Sequence, residues 1–230
     1  MFFGVNATHY DDMSPHVSGI TMVRAFDHTS WPPVSPGVAA MLSPRPDPHL
    51  LVTGALDAEM TTLLQAAPPN SYLTTWHEAE KGPNSPQGGL TAWWARRVHT
   101  YMLALTRAVN PAVKYGVILT QGGSANYTIP GLGFYGIDLY DLHETTDPTQ
   151  ALASEFAKLP RGRKVVAETN SSNIARRPDW FVKVYNWLAA HNGYAMLTFW
   201  NPTGHLSGPW VDDPATIDSL NWVSTKAAGG

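Results

Sequence analysis

Eight short runs rich in Val, Ile, Leu, Phe and Tyr, several followed by stretches of helical periodicity, predict an α/β chain folded as a single, compact (β/α)8 TIM barrel. The length agrees, since 230 residues bury one sizeable core and eight parallel strands with crossover helices are the count of that closed barrel. The first strand is expected at residues 2–6 and the second at 21–26. Residues 27–48, rich in proline, read as a long irregular connection between strands two and three, with a turn of helix near 38–42 and the third strand at 50–55. A helix over 57–67, with Asp57 as its N-cap, leads to a fourth strand at 71–77. The clearest helix spans 90–109, where Leu90, Trp94, Val98, Met102, Leu105 and Val109 step by three or four, and Pro111 stops it. Strands at 115–120, 136–140, 164–168 and 194–200 follow. Helices are expected at 148–159, at 178–191 with Pro178 in the first turn, and at 214–226. The barrel then occupies residues 1–226 and residues 227–230 form a flexible tail. A doubly wound open sheet is the structural alternative, but Asn6-Ala7-Thr8-His9-Tyr10 after the first strand is not a glycine-rich phosphate fingerprint.

Composition narrows the function. Charged residues make up only 14% of the chain and the formal net charge is −3, which leaves no basic footprint for nucleic acid or an anionic membrane. No run of 18 apolar residues exists to span a bilayer. The absence of cysteine removes disulfides, thiolate metal sites and a thiol nucleophile. The excess lies in nine Trp, nine Tyr and seven Phe, side chains whose flat apolar faces and polar edges suit either a core or a sugar-binding cleft. Trp94, Trp180, Trp187 and Trp222 fall in helical stretches and read as packing, whereas Trp31 and Trp210 sit in loops where they could serve as sugar platforms.

A (β/α)8 barrel places its chemistry at the C-terminal ends of its strands. Those ends carry Asn6 and His9, Arg24 to His28, Trp76-His77-Glu78, Thr120-Gln121, Asp138 and Tyr140, Glu168 and Asn170, and Trp200-Asn201. A glutamate closing an apolar strand is costly unless paired or functional. By strand alternation Thr74, Trp76 and Glu78 share one face, and Glu168 closes Lys164-Val165-Val166-Ala167 in the same manner. Glutamates on strands four and seven would face one another across the barrel mouth. A retaining glycosidase needs that pairing, with carboxyl groups about 5–5.5 Å apart, one acid and one nucleophile. The alternative is two strand-end carboxylates in structural ion pairs with arginines such as Arg24 or Arg176. Glu80 reads as a surface or supporting residue.

Trp76-His77-Glu78-Ala79-Glu80, Glu168 and Thr198-Phe199-Trp200-Asn201 resemble the clan A glycoside hydrolases. Within the clan they are most similar to family 26, the β-mannanases and relatives, and to family-26-like barrels of actinobacteria or phages. In most of the clan an asparagine precedes the acid/base glutamate, but in family 26 a histidine does, and His77 matches. The resemblance implies that Glu78 is the acid/base and Glu168 the nucleophile. It further implies that His77 contacts the sugar or the nucleophile, that Trp200 is the aromatic floor, that Tyr140 hydrogen-bonds the nucleophile and that Arg24 keeps it ionised. Asn6, Trp76 and Asp138 complete the expected sugar-binding set. Thr169-Asn170 follows Glu168 where many relatives carry Phe-Gly, and the chain is short for the clan, so no particular sugar is carried over.

The expected function is retaining hydrolysis of a poly- or oligosaccharide, with no cofactor, no nucleic-acid or membrane partner, and a monomeric state. One alternative is a catalytically inactive carbohydrate-binding barrel, for example a virion-associated one. The other is a metal-dependent hydrolase, although the His-x-His of such barrels is missing from the first strand. A structural calcium stays open. No Gly-x-Ser-x-Gly elbow marks a serine hydrolase. Residues 1–6 lack the basic and long apolar regions of a signal peptide, so a cytoplasmic protein, a phage-encoded one and a mature fragment of a secreted one all fit.

Overall fold

The computed structural model describes residues 1–6, 14–26, 29–81, 89–141, 144–198 and 213–229, without the side chains of Asn6 and of residues 196–198. Eight parallel strands close on themselves in chain order. They are β1 (Phe2–Asn6), β2 (Met22–Phe26), β3 (Ala39–Ser43), β4 (Tyr72–Leu73), β5 (Lys114–Thr120), β6 (Phe134–Asp141), β7 (Lys164–Ser171) and β8 (Gly193–Thr198). Around them lie α1 (Pro48–Val52), α2 (Asp57–Gln65), α3 (Ala92–Val109), α4 (Pro148–Ala157), α5 (Arg177–Ala190) and α6 (Pro214–Ala228). This is the single (β/α)8 TIM barrel expected of the sequence. None of its helices among the described residues is long and apolar enough to cross a membrane.

The third strand departs from expectation. Ala39–Ser43, read as a turn of helix, is β3, while residues 50–55, read as the strand, begin inside α1. Asp47-Pro48 explains the swap. The Asp47 carboxylate accepts hydrogen bonds from the amides of His49 (2.8 Å) and Leu50 (3.0 Å), and proline fits the first helical position. Ala-Ala-Met-Leu-Ser has little intrinsic strand preference. It is extended because it pairs with β2 and β4 and its residues are all buried. Two smaller corrections concern helix ends. Leu56, not Asp57, is the N-cap residue of α2, and Asp57 instead accepts a hydrogen bond from the Tyr101 hydroxyl. The last helix runs through Ala228 with Ala227 buried, so the chain stays ordered two residues past the expected end.

Two shells of core result. Inside the barrel, Met22, Met41, Tyr72, Ile118, Phe134, Val165 and Ala167 interdigitate. Gly116 gives the Phe134 ring its room, since a Cβ there would lie 2.4 Å from it. Between strands and helices, one cluster joins Val5, Ile137, Leu139 and Val166 to Trp180, Phe181, Val184 and Leu220. A second joins Leu42, Leu73, Val117 and Leu119 to Leu64, Val98 and Met102. Trp180 is thus packing, as its helical position suggested, and Trp187 stacks on Phe156 and His191.

One polar chain runs through the outer shell. His99 Nδ1 lies 2.8 Å from the Tyr115 hydroxyl, which lies 2.6 Å from Thr75 Oγ1. His99 is fully buried, and burial pushes its imidazole down to about 4. The unfolded chain therefore takes up a proton near pH 6.5 that the folded chain refuses until about pH 4. His99 costs nothing above that window, and the stability is lost as pH falls through it. Urea unfolding at pH 7 and pH 5 should differ by roughly 2 kcal/mol from this group alone. The same comparison in His99→Phe should lose most of that difference.

Candidate active site

The C-terminal ends of β2, β4, β6 and β7 bring Arg24, His77, Glu78, Asp138, Tyr140 and Glu168 together. Each arrives by a different local device. Arg24 follows Met22 on the inward face of β2, and its guanidinium is buried. Nε donates to Ser43 Oγ at 3.1 Å, and Nη1 to the Ala167 carbonyl at 2.9 Å and to Glu168 Oε1 at 3.2 Å. Nη1 also stands 3.8 Å from Asp138 Oδ1. The guanidinium carbon lies 4.2 Å above the ring of Phe26, two residues along the same strand face.

Glu168 reaches the cleft through a bulge. Val165 and Ala167 point into the barrel and Val166 points out, so strict alternation would turn Glu168 outward. The pairing of β7 with β6 slips between Ile137 and Asp138, so that Ile137 faces Val166 and Asp138 faces Glu168. One extra residue is absorbed, and the phase of the strand is reversed beyond it. Glu168 then joins Arg24 on the inside. Thr169 turns out, where its Oγ1 accepts the Trp180 indole N–H at 2.8 Å. The other Glu168 oxygen, Oε2, accepts a hydrogen bond from the Tyr140 hydroxyl.

Glu78 arrives by a turn, not by alternation. The regular part of β4 ends at Leu73, and both Trp76 and Glu78 adopt left-handed backbone, each with φ of 55°. Non-glycine residues held there cost of order 1–3 kcal/mol each, and such strain gathers at functional sites. The turn separates residues that alternation would group and groups those it would separate. The Trp76 indole packs on the shell outside the barrel and donates to the Pro46 carbonyl at 2.7 Å. His77 and Glu78, expected on opposite faces, come to the same side, with His77 Nε2 3.9 Å from Glu78 Oε2. A 3-10 turn over Ala79–Lys81 follows, and the Lys81 ammonium pairs with the same Oε2.

Four further residues complete the frame. Glu80, read as a surface or supporting residue, inserts Oε1 at the end of β5, where it accepts hydrogen bonds from the Thr120 amide and from Thr120 Oγ1 at 2.8 Å. Gly123 leaves it that space, since a Cβ there would stand 2.6 Å from Oε1. Arg45 lies 3.5 Å from His77 Nε2 and donates to the His77 carbonyl at 3.3 Å, while Phe26 packs on the imidazole at 5.1 Å. Ser43 and Arg45 escaped sequence reading because β3 was placed elsewhere. Lys81 carried a legible signal, its spacing of three from Glu78.

The charges sort themselves by environment. Burial, then the Glu168 carboxylate, pushes Asp138 well above the usual carboxylate range, and neither of its oxygens has a hydrogen-bond partner among the described residues. Asp138 is thus the more readily protonated of the two carboxyls, and Arg24 approaches Glu168 more closely. Burial raises Glu168 too. Arg24 and the Tyr140 hydrogen bond oppose that rise, while Glu78 adds to it. Burial, reinforced by Arg24, Arg45 and Lys81, drives the His77 imidazole well below its ordinary value, so it is neutral.

Trp200, Asn201, His9, His28 and Trp210 lie outside the described residues. Asn6 ends β1 in register with Arg24, its side chain likewise outside. Trp31 is anchored on α2, its indole donating to the Leu63 carbonyl at 2.7 Å. Among the described residues no three His, Asp or Glu side chains are grouped to hold a metal ion.

No protein-family model matches the sequence, and no curated protein matches it. Solved structures do match the fold. A modular family 26 endo-β-1,4-mannanase from Cellulomonas fimi superposes with a TM-score of 0.62 at 13% identity, over 97% of this chain and 70% of that one. In fold, this chain resembles glycoside hydrolases. A family 5 xyloglucan-specific endo-β-1,4-glucanase from a metagenomic library gives 0.62 at 12% identity, over 94% of this chain and 86% of that one. The family 26 β-mannanase of Bacteroides ovatus gives 0.60 at 12% identity, over 99% and 89%.

Proposed function

We propose that the protein is a retaining glycoside hydrolase acting on a poly- or oligosaccharide, with Glu168 as nucleophile and Glu78 as acid/base. The observation that carries this reading is the bulge in β7. It turns Glu168 from the outer face of the barrel to the inner one and sets it between Arg24 and the Tyr140 hydroxyl, within electrostatic reach of Glu78. A structural ion pair would need neither the reversal nor two strained residues in the turn after β4.

The proposed reaction is a double displacement. Arg24 and Tyr140 hold both oxygens of Glu168, so its negative charge is fixed in place before a sugar arrives. In the first step a Glu168 oxygen attacks the anomeric carbon while protonated Glu78 gives its proton to the departing glycosidic oxygen. In the second step ionised Glu78 takes a proton from water, whose oxygen attacks the same carbon and releases Glu168. His77, neutral and buried, supplies a hydrogen-bonding edge beside Glu78.

The structural neighbours act on mannan and xyloglucan, so β-1,4-linked polysaccharides are the first substrates to screen. Release of reducing ends from such a panel, absent in Glu168→Gln, tests the proposal. Binding without release in the parent protein would instead favour the inactive barrel, and loss of activity in EDTA would favour metal chemistry.

Glu80 is a positioning residue in this scheme. Glu80→Ala frees Thr120 and loosens the turn that carries Glu78. It is expected to lower kcat by about 10–100-fold with little change in KM, because small misplacements of a reacting group carry costs of that size. Glu80→Gln, which keeps an acceptor oxygen, should recover most of the rate.

A further inference from the structure

We propose that Lys81 is a positioning residue for Glu78, its ammonium holding Oε2 of that carboxylate and setting how readily it passes between acid and base. The inference rests on the reading of Glu78 as the acid/base. Lys81 follows Glu78 by three residues, and its amide donates to the Glu78 carbonyl at 3.1 Å, closing the 3-10 turn. That turn carries the lysine side chain back over the carboxylate. The Glu78 side chain is 9% exposed and the Lys81 side chain 33%, so the pair straddles the edge of the cleft. The ammonium can leave for water, or for a bound hydroxyl, without being stranded in the core.

Among the described residues Lys81 is the lysine or arginine that forms an ion pair with this carboxylate. From its own segment Glu78 meets Lys81, the neutral imidazole of His77 and the carboxylate of Glu80. From β7 it meets Glu168, and from β6 Asp138 and Tyr140, all of which are neutral or negative. Arg24 is committed to Glu168 and Ser43. The guanidiniums of Arg24 and Arg45 act on the adjacent His77, but Lys81 pairs with the Glu78 carboxylate itself and so favours its ionised form most directly. That form is the base of the second step and the wrong form for the first. Lys81 thus slows proton donation to the leaving group and favours activation of water.

Titration of the glutamate carboxyl carbons by 13C NMR, with Glu78 assigned through Glu78→Gln, reads the coupling without any substrate. In Lys81→Met the Glu78 midpoint should rise by about 1 pH unit, and Lys81→Arg should bring it back toward the parent value. The alkaline limb of kcat/KM on a cleaved polysaccharide should move the same way. Coincident midpoints in parent and Lys81→Met would overturn the proposal. A shifted midpoint in a protein that cleaves no glycan would uphold the coupling of Lys81 to Glu78 and overturn the hydrolase reading alone.

Discussion

Glutamine in place of Glu168 is expected to reduce turnover by about 10⁴-fold or more, the scale seen when a covalent nucleophile is removed. The fold should survive. Burial already disfavours the charge on Glu168, and a neutral amide of the same shape relieves that cost while keeping an oxygen for Arg24. Asp138 is 3.8 Å from Arg24 and fully buried, so it is placed to ionise and become the counter-charge in the variant. Thermal melting should therefore stay near that of the parent protein, and glycan affinity should persist. An inactive variant that also melts far lower would mean that Glu168 serves the fold rather than the chemistry.

The second large effect concerns Arg24, whose side chain lies under both carboxylates. Arg24→Met fills similar volume but leaves Glu168 and Asp138 buried without their cation. Removing one partner of such a group costs about 3–5 kcal/mol at neutral pH. The sign of its pH dependence follows from the shifts. Burial already raises both carboxyls, and loss of Arg24 raises them further. As pH falls and they become neutral in both proteins, the guanidinium has less to offset. The stability gap between parent and variant should therefore narrow between pH 7 and pH 4, as denaturant unfolding at both pH values would show. Activity should fall as well, because a protonated Glu168 cannot attack.

Much of this arrangement was legible in the residues. The strand ends named side chains that the fold does bring together, Arg24, His77, Glu78, Asp138, Tyr140 and Glu168, and polar residues closing apolar runs are informative because burial penalises them. Seven of the eight strands were placed by their apolar runs. The third was not, since Ala39–Ser43 is extended through its neighbours and not through its own preference, while residues 50–55 form an apolar run whose first part belongs to the helix capped by Asp47. With β3 misplaced, Ser43 and Arg45 could not be seen as partners of Arg24 and His77. The two glutamates were named from their positions, but the reasons offered for their orientation do not survive. Alternation would have sent Glu168 outward and kept Trp76 beside Glu78. The bulge at Ala167 and the left-handed turn through Trp76 and Glu78 undo both. These are backbone events imposed by tertiary pairing, and no period-two pattern records them.

As the proposed nucleophile, Glu168 forms a covalent bond to the sugar. Its most direct test is to incubate the protein with the 2-deoxy-2-fluoroglycosyl fluoride of whichever sugar the polysaccharide screen shows to be cleaved, and then to map the digested protein by mass. One added fluorosugar per chain is expected, located on the peptide that contains Glu168 and absent when Glu168→Gln is treated alike. An active protein that takes up no label, carries it on another residue, or releases a product of inverted anomeric configuration would contradict it.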